Sequence, residues 1–440
     1  MKLHDAATLD LPELLHELVA RTAAQMHQVM FGDEMSVAQA EEQLLELSRE
    51  MAREAFSIGL SERFGKQEGP RRLCDCGGDQ RFLGYRTKSV MTVLGAVRYR
   101  RAYYHCSACR AVHYMGDDAI GVGECGCSLP AQEAISMVSC ELPFKCARNL
   151  LVRLTGLDVS WSLARIVTEE HGARLEQEAL AEREALFDGT LELLRESAPK
   201  RLYVTMDGLK MQFTDDWHET KIGAVYEVEA GKEDIDEPVR TTYVCGVWEG
   251  PEEFGKRLYQ EAVRRGVERT GETVVIGDGA VWIWNLASEH FAGAVQILDF
   301  YHAAERLHGV GRAVYGEGTR RAREWAEANA ERLRAGRVDN VLRSLRALRP
   351  RTGEGREAVR QAVGYFKTNR GRMDYPAYRA CGYQVGSGVV EAACKTVATA
   401  RCKRSGMRWS KAGAQSVLNL RCLRLSGRWD AHWKPLKAAA

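Results

Sequence analysis

The spacing of apolar residues predicts that the chain begins with helices. Five leucines recur at helical spacing near the start: Leu9, Leu11, Leu14, Leu15 and Leu18. Ser36 and Gln39 resemble a capping box ahead of a second helix, within a helical stretch over 6–66. Residues 1–70 hold 13 acidic and 6 basic side chains. We therefore predict that 1–70 serves for packing or dimerisation.

After Gly69-Pro70 the helical spacing gives way to alternation. Val90–Val93 and Val97–Tyr104 alternate apolar and polar residues around Gly95, which predicts a β-hairpin. Residues 71–110 carry 9 Lys/Arg against 2 Asp. The predicted module, 71–115, is a basic hairpin.

Cysteines flank this hairpin in two short clusters. Cys74-x-Cys76 precedes it and Cys106-x-x-Cys109 follows it, with 29 residues between Cys76 and Cys106. Two such knuckles joined by strands suit a tetrahedral Zn²⁺ site, so we predict a zinc-ribbon-like module. Three nearby residues remain alternative ligands: Cys125, Cys127 and His113. The four cysteines could also be reduced structural residues without a metal.

The next region, 121–198, reads as helical. Residues 144–156 and 161–172 form two amphipathic segments joined by a short turn, and Ser160 stands where the second helix needs an N-cap. This pattern is typical of a helix-turn-helix, in which Arg165 would lie near the start of the recognition helix. Two helices and a turn are also common packing elements. The region is expected to end in a charged helical linker.

From residue 201 the pattern becomes α/β. Three strands that could form a meander are followed by helix, strand, helix and strand: Leu202–Met206, Lys221–Glu229, Thr241–Trp248, Glu252–Arg265, Thr273–Ile276, Trp282–Phe291 and Ala294–Leu298. This is the element order of an RNase H-like core, whose first part spans 201–302. Residues 303–380 read as a basic helical insertion, and 381–440 as a further core helix with a basic tail. The predicted fold class is multidomain α+β with an RNase H-like α/β core.

The total charge conceals two basic regions. The chain of 440 residues has a net charge of +2. Residues 312–372 contain 16 Lys/Arg and 7 Asp/Glu, and residues 395–440 contain 11 and 1, so the rest of the chain is strongly acidic. A solvated helical face explains one such run more easily than two. Two basic regions favour a polyanionic partner, and nucleic acid is the expected one.

Composition and the absence of certain motifs in the sequence exclude several classes of protein. The 13 cysteines cluster in close pairs, which indicates metal binding in a reducing compartment and no disulfide scaffold. No apolar run reaches the length of a membrane span, and the first residues lack the apolar region of a secretory signal. The expected location is the cytoplasm, where the expected nucleic-acid partner would associate the protein with the nucleoid. No P-loop motif occurs, so we expect no use of ATP.

Acidic residues follow the predicted strands of the α/β region. Asp207 and Asp278 each follow an apolar strand, and Glu391 lies in the first turns of the helix after Gly-Ser-Gly. Such carboxylates can provide the oxygen ligands of two Mg²⁺ or Mn²⁺ ions that catalyse phosphodiester chemistry. Asp299 also follows a strand and competes with Asp278 for the second position. The alternative is structural: Asp-Gly is a common turn, and Glu391 could pair with Lys395.

Six blocks together resemble the ISKra group of bacterial insertion-sequence transposases, from about residue 70 onwards. The blocks are Asp207-Gly, Asp278-Gly-Ala-x-Trp282, Asp299-x-x-His302, Gly386-Ser-Gly-x-x-Glu391, Arg401-x-Lys403-x-x-Gly406-Met407-Arg408-Trp409 and Arg101-x-Tyr103-Tyr104-x-Cys106-x-x-Cys109. The resemblance implies an RNase H-like transposase with an Asp-Asp-Glu triad of Asp207, Asp278 and Glu391. It implies that Asp299 and His302 are active-site neighbours.

The resemblance also implies a reaction and a partner. The enzyme would cut double-stranded DNA at the terminal repeats of an element and join the 3′-hydroxyl to target DNA, as a homodimer or larger assembly. The insertion and the tail would hold DNA phosphates through Arg320, Arg321, Arg343, Arg346, Lys403, Arg404, Arg408 and Lys411. Four tryptophans could stack on unpaired bases or pack in the core: Trp282, Trp284, Trp325 and Trp409. Two alternative functions are a non-catalytic DNA-binding protein derived from a transposase, and a nuclease that cuts without joining.

Overall fold

The computed structural model describes residues 11–32, 35–117, 122, 125–190, 199–228 and 238–439. The chain divides into two compact units. The first comprises Met1–Glu170 with Asp430–Ala440, and the second comprises His171–Trp429. Within the described ranges, no helix is both long and apolar enough to cross a membrane.

The first half of the chain alternates helices with one small sheet. Its elements are α1 (Leu11–Phe31), α2 (Val37–Gly65), β1 (Arg71–Leu73), β2 (Asp79–Thr92), β3 (Gly95–Cys106), β4 (Val112–Tyr114), α3 (Leu129–Glu141), α4 (Phe144–Thr155) and α5 (Trp161–Phe187).

The second half begins with a larger sheet and ends in helices. Its elements are β5 (Arg201–Gln212), β6 (Trp217–Val228), β7 (Pro238–Val247), α6 (Pro251–Arg264), β8 (Glu272–Gly277), α7 (Val281–His290), β9 (Val295–Leu298), α8 (Phe300–Tyr315), α9 (Arg320–Arg334), α10 (Val338–Ala347), α11 (Gly353–Thr368), α12 (Tyr375–Ala380), α13 (Gly388–Ala393), α14 (Ala400–Cys402), α15 (Lys411–Leu425) and α16 (Trp429–Ala439).

Helices α1 and α2 form the predicted N-terminal pair. The predicted capping box is confirmed: the Gln39 backbone N–H donates to Ser36 Oγ at 3.3 Å, and the Ser36 N–H donates to Gln39 Oε1 at 3.0 Å. Leu60 of α2 packs against Val90 and Val97 of the small sheet. The predicted helical residues 6–10, including Leu9, lie outside the described residues.

The small sheet is antiparallel, with strand order β1-β2-β3-β4. Its centre is the predicted hairpin, closed where Thr92 pairs with Gly95, although both strands are longer than the predicted segments. Gly95 has a φ of +105°, a backbone conformation that side chains with a Cβ avoid. A tight turn at this residue therefore requires glycine.

Helices α3, α4 and α5 pack around a separate apolar core. The turn predicted over 157–160 joins α4 to α5, and the Leu163 N–H donates to Ser160 Oγ at 3.0 Å. The charged helix predicted after residue 172 is continuous with the one before it, because α5 runs without interruption to Phe187. The predicted linker residues 191–198 lie outside the described residues.

The large sheet has the strand order β7-β6-β5-β8-β9. Strands β5, β6 and β7 form an antiparallel meander, and β8 and β9 run parallel to β5. The sequence predicted each of these strands and the helices between them. Strands β5, β6, β7 and β8 are longer than predicted, whereas β9 is one residue shorter. The last predicted residue of β6, Glu229, lies outside the described residues. The observed fold class is mixed α+β with more than one unit.

Helices α8–α12 occupy the predicted insertion. Their apolar faces join the core of the sheet through Leu307, Leu333, Leu345 and Phe366, all buried. Most arginines of these helices stay at the surface. The helix predicted after residue 388 is not regular: α13 passes into a π-helical turn over Cys394–Thr399 before α14. Such turns often occur at functional sites.

Candidate functional site

Three aspartates form a row across the large sheet. In the parallel register of β5 and β8, Thr205 pairs with Ile276, and in that of β8 and β9, Gly277 pairs with Leu298. Continued by one or two residues, these registers place three carboxylates level with each other at one edge of the sheet: Asp207, Asp278 and Asp299. Adjacent strands are about 4.8 Å apart, so neighbouring carboxylates in this row influence each other's charge.

Asp207 is the member of the row within β5. Its Oδ1 accepts the Gly208 N–H at 2.7 Å, and its Oδ2 lies 3.8 Å from Cys394 Sγ. Burial raises the pKa of Asp207, and the negative charge of Asp278 raises it further. The surroundings of Asp207 therefore disfavour its ionised form. A cation bound beside the carboxylate would stabilise that form.

Asp278 begins the loop between β8 and α7. Its Oδ1 accepts the Ala280 N–H at 2.9 Å, and its backbone carbonyl accepts the Tyr365 hydroxyl at 2.7 Å. Asp278 also borders a cavity of about 310 Å³, whose lining includes His302 and Arg306. Helix α11 thus holds the backbone of Asp278 through Tyr365. Helices α8 and α11 form the wall of the cavity beside its side chain.

Glu391 lies on α13, which packs against β5 and β6. Its side chain is 57% exposed and forms an ion pair of 2.7 Å with Lys395. One turn further along the same helical segment, Cys394 contacts Asp207. Burial and the charge of Asp207 raise the pKa of the Cys394 thiol to about 12, so it acts as a neutral donor. The structure therefore attaches the helix of Glu391 to Asp207, and leaves Glu391 itself in its surface ion pair.

Asp299, by contrast, is enclosed. It is 2% exposed and accepts both the N–H and the hydroxyl of Ser387 as well as the His302 N–H at 3.0 Å. Although burial opposes the effect, hydrogen bonds from His302 and Ser387 lower the pKa of Asp299. This carboxylate caps α8 and fixes the Gly-Ser-Gly segment. Its oxygens are occupied, which leaves Asp278 the more accessible of the two candidates for the second position.

His302 supplies a positive charge next to the row. Its Nδ1 lies 3.4 Å from Asp299 Oδ2, and Asp299 raises the pKa of His302 to about 9, with smaller effects of Asp278 and Asp207. The imidazole is thus protonated at neutral pH. It offsets part of the repulsion among the carboxylates.

The four predicted cysteines come together in the first unit. Cys74 Sγ lies 3.6 Å from Cys109 Sγ, Cys76 Sγ lies 3.7 Å from Cys106 Sγ, and all four sulfur atoms lie within 4.8 Å of one another. Four thiolates bound tetrahedrally to Zn²⁺ at 2.3 Å stand about 3.8 Å apart. The cluster therefore fits a metal ion such as zinc.

Backbone turns shape both halves of this cysteine cluster. The Gly77 N–H donates to the Cys74 carbonyl at 2.8 Å, and the Cys106 N–H donates to the Ala111 carbonyl at 2.9 Å. A hydrogen bond from the Cys109 backbone lowers the pKa of the Cys106 thiol to about 7. Although a hydrogen bond from the Ala111 backbone opposes the effect, the neighbouring thiols raise the pKa of Cys109 to about 12. The cluster therefore releases one proton near neutral pH and the others on binding a cation.

The alternative ligands lie elsewhere. The backbone of Cys127 forms an isolated β-bridge with that of Met91. Its side chain is fully buried in the core of α3–α5, and the thiol points to the Cys125 carbonyl. Cys125 Sγ lies 3.4 Å from the Val122 carbonyl. His113 belongs to the β3–β4 ladder, opposite Tyr104. None of the three alternatives is part of the four-cysteine cluster.

The predicted DNA-contacting side chains lie at the surface. Arg165 of the first unit is paired with Glu169 at 2.7 Å. In the second unit, exposed positions on α9, α10 and the segment around α14–α15 are taken by Arg320, Arg321, Arg343, Arg346, Lys403, Arg404, Arg408 and Lys411. Two tail arginines are buried instead. Arg421 donates to the Val397 carbonyl at 2.7 Å, and Arg401 stacks on Trp409 at 4.9 Å. The tail therefore has fewer available charges than its sequence indicates.

Sequence reasoning missed three side chains that position the carboxylates: Cys394, Ser387 and Tyr365. Ser387 lies within the Gly-Ser-Gly block, and Cys394 follows Glu391 by three residues on the same helix. This closeness in sequence to Glu391 could have indicated that both lie near the site. Tyr365 is 87 residues from Asp278, and no local pattern connects them.

Comparison with known proteins leaves the function open. The model of a family described as "Uncharacterised protein family (UPF0236)" matches residues 33–434, most of the chain. The chain belongs to this family. No curated protein matches it.

Proposed function

We propose that this member of the UPF0236 family is a DNA transposase, which binds the ends of a mobile element, cleaves the DNA and joins the 3′-hydroxyl end to a target. The observation that carries the proposal is the meeting of Asp207, Asp278 and the helix of Glu391 at one edge of the sheet. The strand order supports it, because an antiparallel meander followed by two parallel strands matches an RNase H-like core.

The donor set suits Mg²⁺ or Mn²⁺. Both ions prefer carboxylate oxygens, and since burial and the charge of Asp278 raise the pKa of Asp207, a bound cation would favour its ionised form. Asp207 and Asp278 would hold the ions, and Glu391 would join them by leaving Lys395. Two bound ions can activate an attacking oxygen and stabilise the leaving oxygen of a phosphodiester.

The other residues of the site would orient and balance charge. Asp299, fixed by Ser387, would keep α8 and the Gly-Ser-Gly segment in place, so that His302 faces the row. The protonated imidazole of His302 would attract a DNA phosphate towards the carboxylates. Exposed lysines and arginines of the insertion and tail would hold the DNA backbone, which gives affinity and salt dependence.

The first unit would select the DNA sequence. A structural Zn²⁺ on the four cysteines would stabilise the hairpin of β2 and β3, in the manner of a zinc ribbon. The α4–α5 pair, two helices joined by a short turn, would act as a helix-turn-helix, with Arg165 on the second helix. Together they would read the terminal repeats of the element.

Strand transfer tests this function. Purified protein would be incubated with labelled duplexes from the DNA flanking the gene, supercoiled target and Mg²⁺ or Mn²⁺. We expect joined products with the wild type and losses of more than about 100-fold in Asp207→Asn and Glu391→Gln, because each removes one carboxylate of the proposed metal site. Glu357→Gln is the matched control, since Glu357 is an exposed carboxylate that pairs with Arg360 in the way that Glu391 pairs with Lys395.

The outcomes separate the alternatives. Cleavage without joining would indicate a nuclease. Tight binding of the flanking DNA without either reaction would indicate a non-catalytic DNA-binding protein. Equal activity of the wild type and Asp207→Asn would exclude the proposed site.

A further inference from the structure

We propose that Trp248, stacked on His218 and flanked by Lys411, is a platform that binds an unpaired base of single-stranded DNA. The inference rests on the proposed function, because it names the form of DNA that the second unit would hold beside its carboxylates.

The platform is built from three rings. The rings of Trp248 and His218 stack with centroids 3.5 Å apart and planes 16° apart. Phe213, which is buried, meets His218 edge-on at 5.5 Å and lies 5.9 Å from Trp248. Asp215 Oδ2 holds His218 Nε2 at 2.9 Å. The indole is therefore fixed in orientation before any ligand arrives.

Trp248 remains accessible despite this support. The residue is 42% exposed, whereas Trp284 and Trp409, which the sequence offered for stacking on bases, are each 5% exposed. The backbone of Trp248 has a φ of +54°, which is unfavourable for a bulky residue, and its N–H donates to the Glu219 carbonyl at 3.1 Å. An exposed ring held in an unfavourable conformation is typical of a binding position.

Positive charge borders the platform. Residues 401–411 contain five Lys/Arg and no acidic residue. This basic segment is attached to the hairpin of β5 and β6, since the Thr214 N–H donates to the Trp409 carbonyl at 3.0 Å. Lys411 Nζ lies over the Trp248 ring, 5.8 Å from its centre, and would move aside for a stacking base. A base stacked on the indole would therefore have its phosphate near a lysine.

The chemistry favours an unpaired base over a duplex. Bases inside a duplex stack on one another and offer no free face, whereas aromatic side chains stack on bases of single strands with little sequence preference. Contacts to duplex phosphates need cations but no exposed indole. Phe213 follows Asp207 by six positions along β5 and its extension, which is about 20 Å of extended chain. The platform would thus hold a strand at a fixed distance from the carboxylates.

Binding without catalysis tests the platform. The full chain would be titrated, without added Mg²⁺ or Mn²⁺, with a DNA duplex that has a short single-stranded 3′ tail and with the same duplex ending bluntly. We expect Trp248→Ala to weaken binding of the tailed duplex about 5- to 100-fold, and to leave binding of the blunt duplex unchanged. Trp248→Phe should keep most of the affinity. Quenching of 2-aminopurine in the tail would report the stacking directly.

Trp217→Ala is the matched control. Trp217 is 51% exposed on the same hairpin and next to His218, so its side chain leaves β6 on the opposite face. Equal binding of tailed and blunt duplexes by the wild type, or equal losses in Trp217→Ala and Trp248→Ala, would overturn the inference. Tighter binding of an RNA tail than of a DNA tail would also overturn it. Because the assay needs no cleavage, a failed strand-transfer experiment leaves this result interpretable.

Discussion

The Asp207 carboxylate lies where the folded protein disfavours its charge. Burial and the neighbouring Asp278 raise its pKa above the ordinary value of 3.8. A carboxylate whose pKa is raised by folding stabilises the folded state only at pH below its unfolded pKa, and this contribution is lost as the pH rises through the folded pKa. At neutral pH the ionised Asp207 therefore destabilises the metal-free protein. Functional sites commonly carry such a penalty.

Asp207→Asn should accordingly raise the melting temperature of the metal-free protein at pH 7, and the difference from wild type should shrink towards pH 4. Added Mg²⁺ should stabilise the wild type and leave the variant unchanged, since binding to the folded state alone raises stability. Thermal unfolding at both pH values, with and without Mg²⁺, measures this. Glu357→Gln is the contrast, because Arg360 lowers the pKa of Glu357 to about 2. A lower melting temperature of Asp207→Asn at pH 7 would contradict the argument.

Among the elements, the small sheet depends on more than its own packing. Strands β1 and β4 have three residues each, and the ends of β2 and β3 meet at the cysteine cluster. Short strands at the edge of a sheet have few apolar contacts of their own. A metal bound by Cys74, Cys76, Cys106 and Cys109 would connect these ends, so that metal binding and folding of the sheet are linked.

Cys106→Ser should therefore remove one equivalent of bound zinc and lower the thermal stability of the first unit. Metal analysis and thermal unfolding of the full chain measure the two effects. Cys146→Ser provides the control, because Cys146 is exposed on α4 and lies outside the cluster. Wild-type protein without zinc after purification in its presence, or equal zinc content in both variants, would exclude a metal site at the cluster.

The local sequence pattern was enough to predict most helices and strands. It did not predict which distant residues contact each other. Alternation and helical spacing predicted the hairpin at Gly95, the capping box at Ser36 and the element order of the large sheet, since each depends on neighbouring residues. The π-helical turn at Cys394–Thr399 depends on tertiary packing. So does the contact between Tyr365 and Asp278. Such contacts join distant residues and leave no periodic signal in the sequence.

For the whole molecule, the distribution of charge matters more than its total. A net charge of +2 includes two basic regions, and the structure separates their side chains into exposed and buried ones. Arg401 and Arg421 are at most 3% exposed and hold the tail together, whereas Lys403 and Arg404 lie at the surface. Only exposed cations can replace the counterions around DNA phosphates.

This distinction predicts how DNA binding responds to salt. For a protein that contacts DNA phosphates, the logarithm of the binding constant falls linearly with the logarithm of the salt concentration. The slope is about 0.9 for each phosphate neutralised. The double variant Lys403→Ala/Arg404→Ala should therefore reduce the slope by up to about 2, and should weaken binding to all duplex sequences alike. Titrations at several salt concentrations measure the slope.

Lys256→Ala is the control, because Lys256 lies on α6 outside both basic regions and pairs with Glu253 at 3.1 Å. If the double variant kept the wild-type slope, neither Lys403 nor Arg404 would contact DNA phosphates, and the affinity would have to come from other cations of the tail, from the insertion or from the first unit.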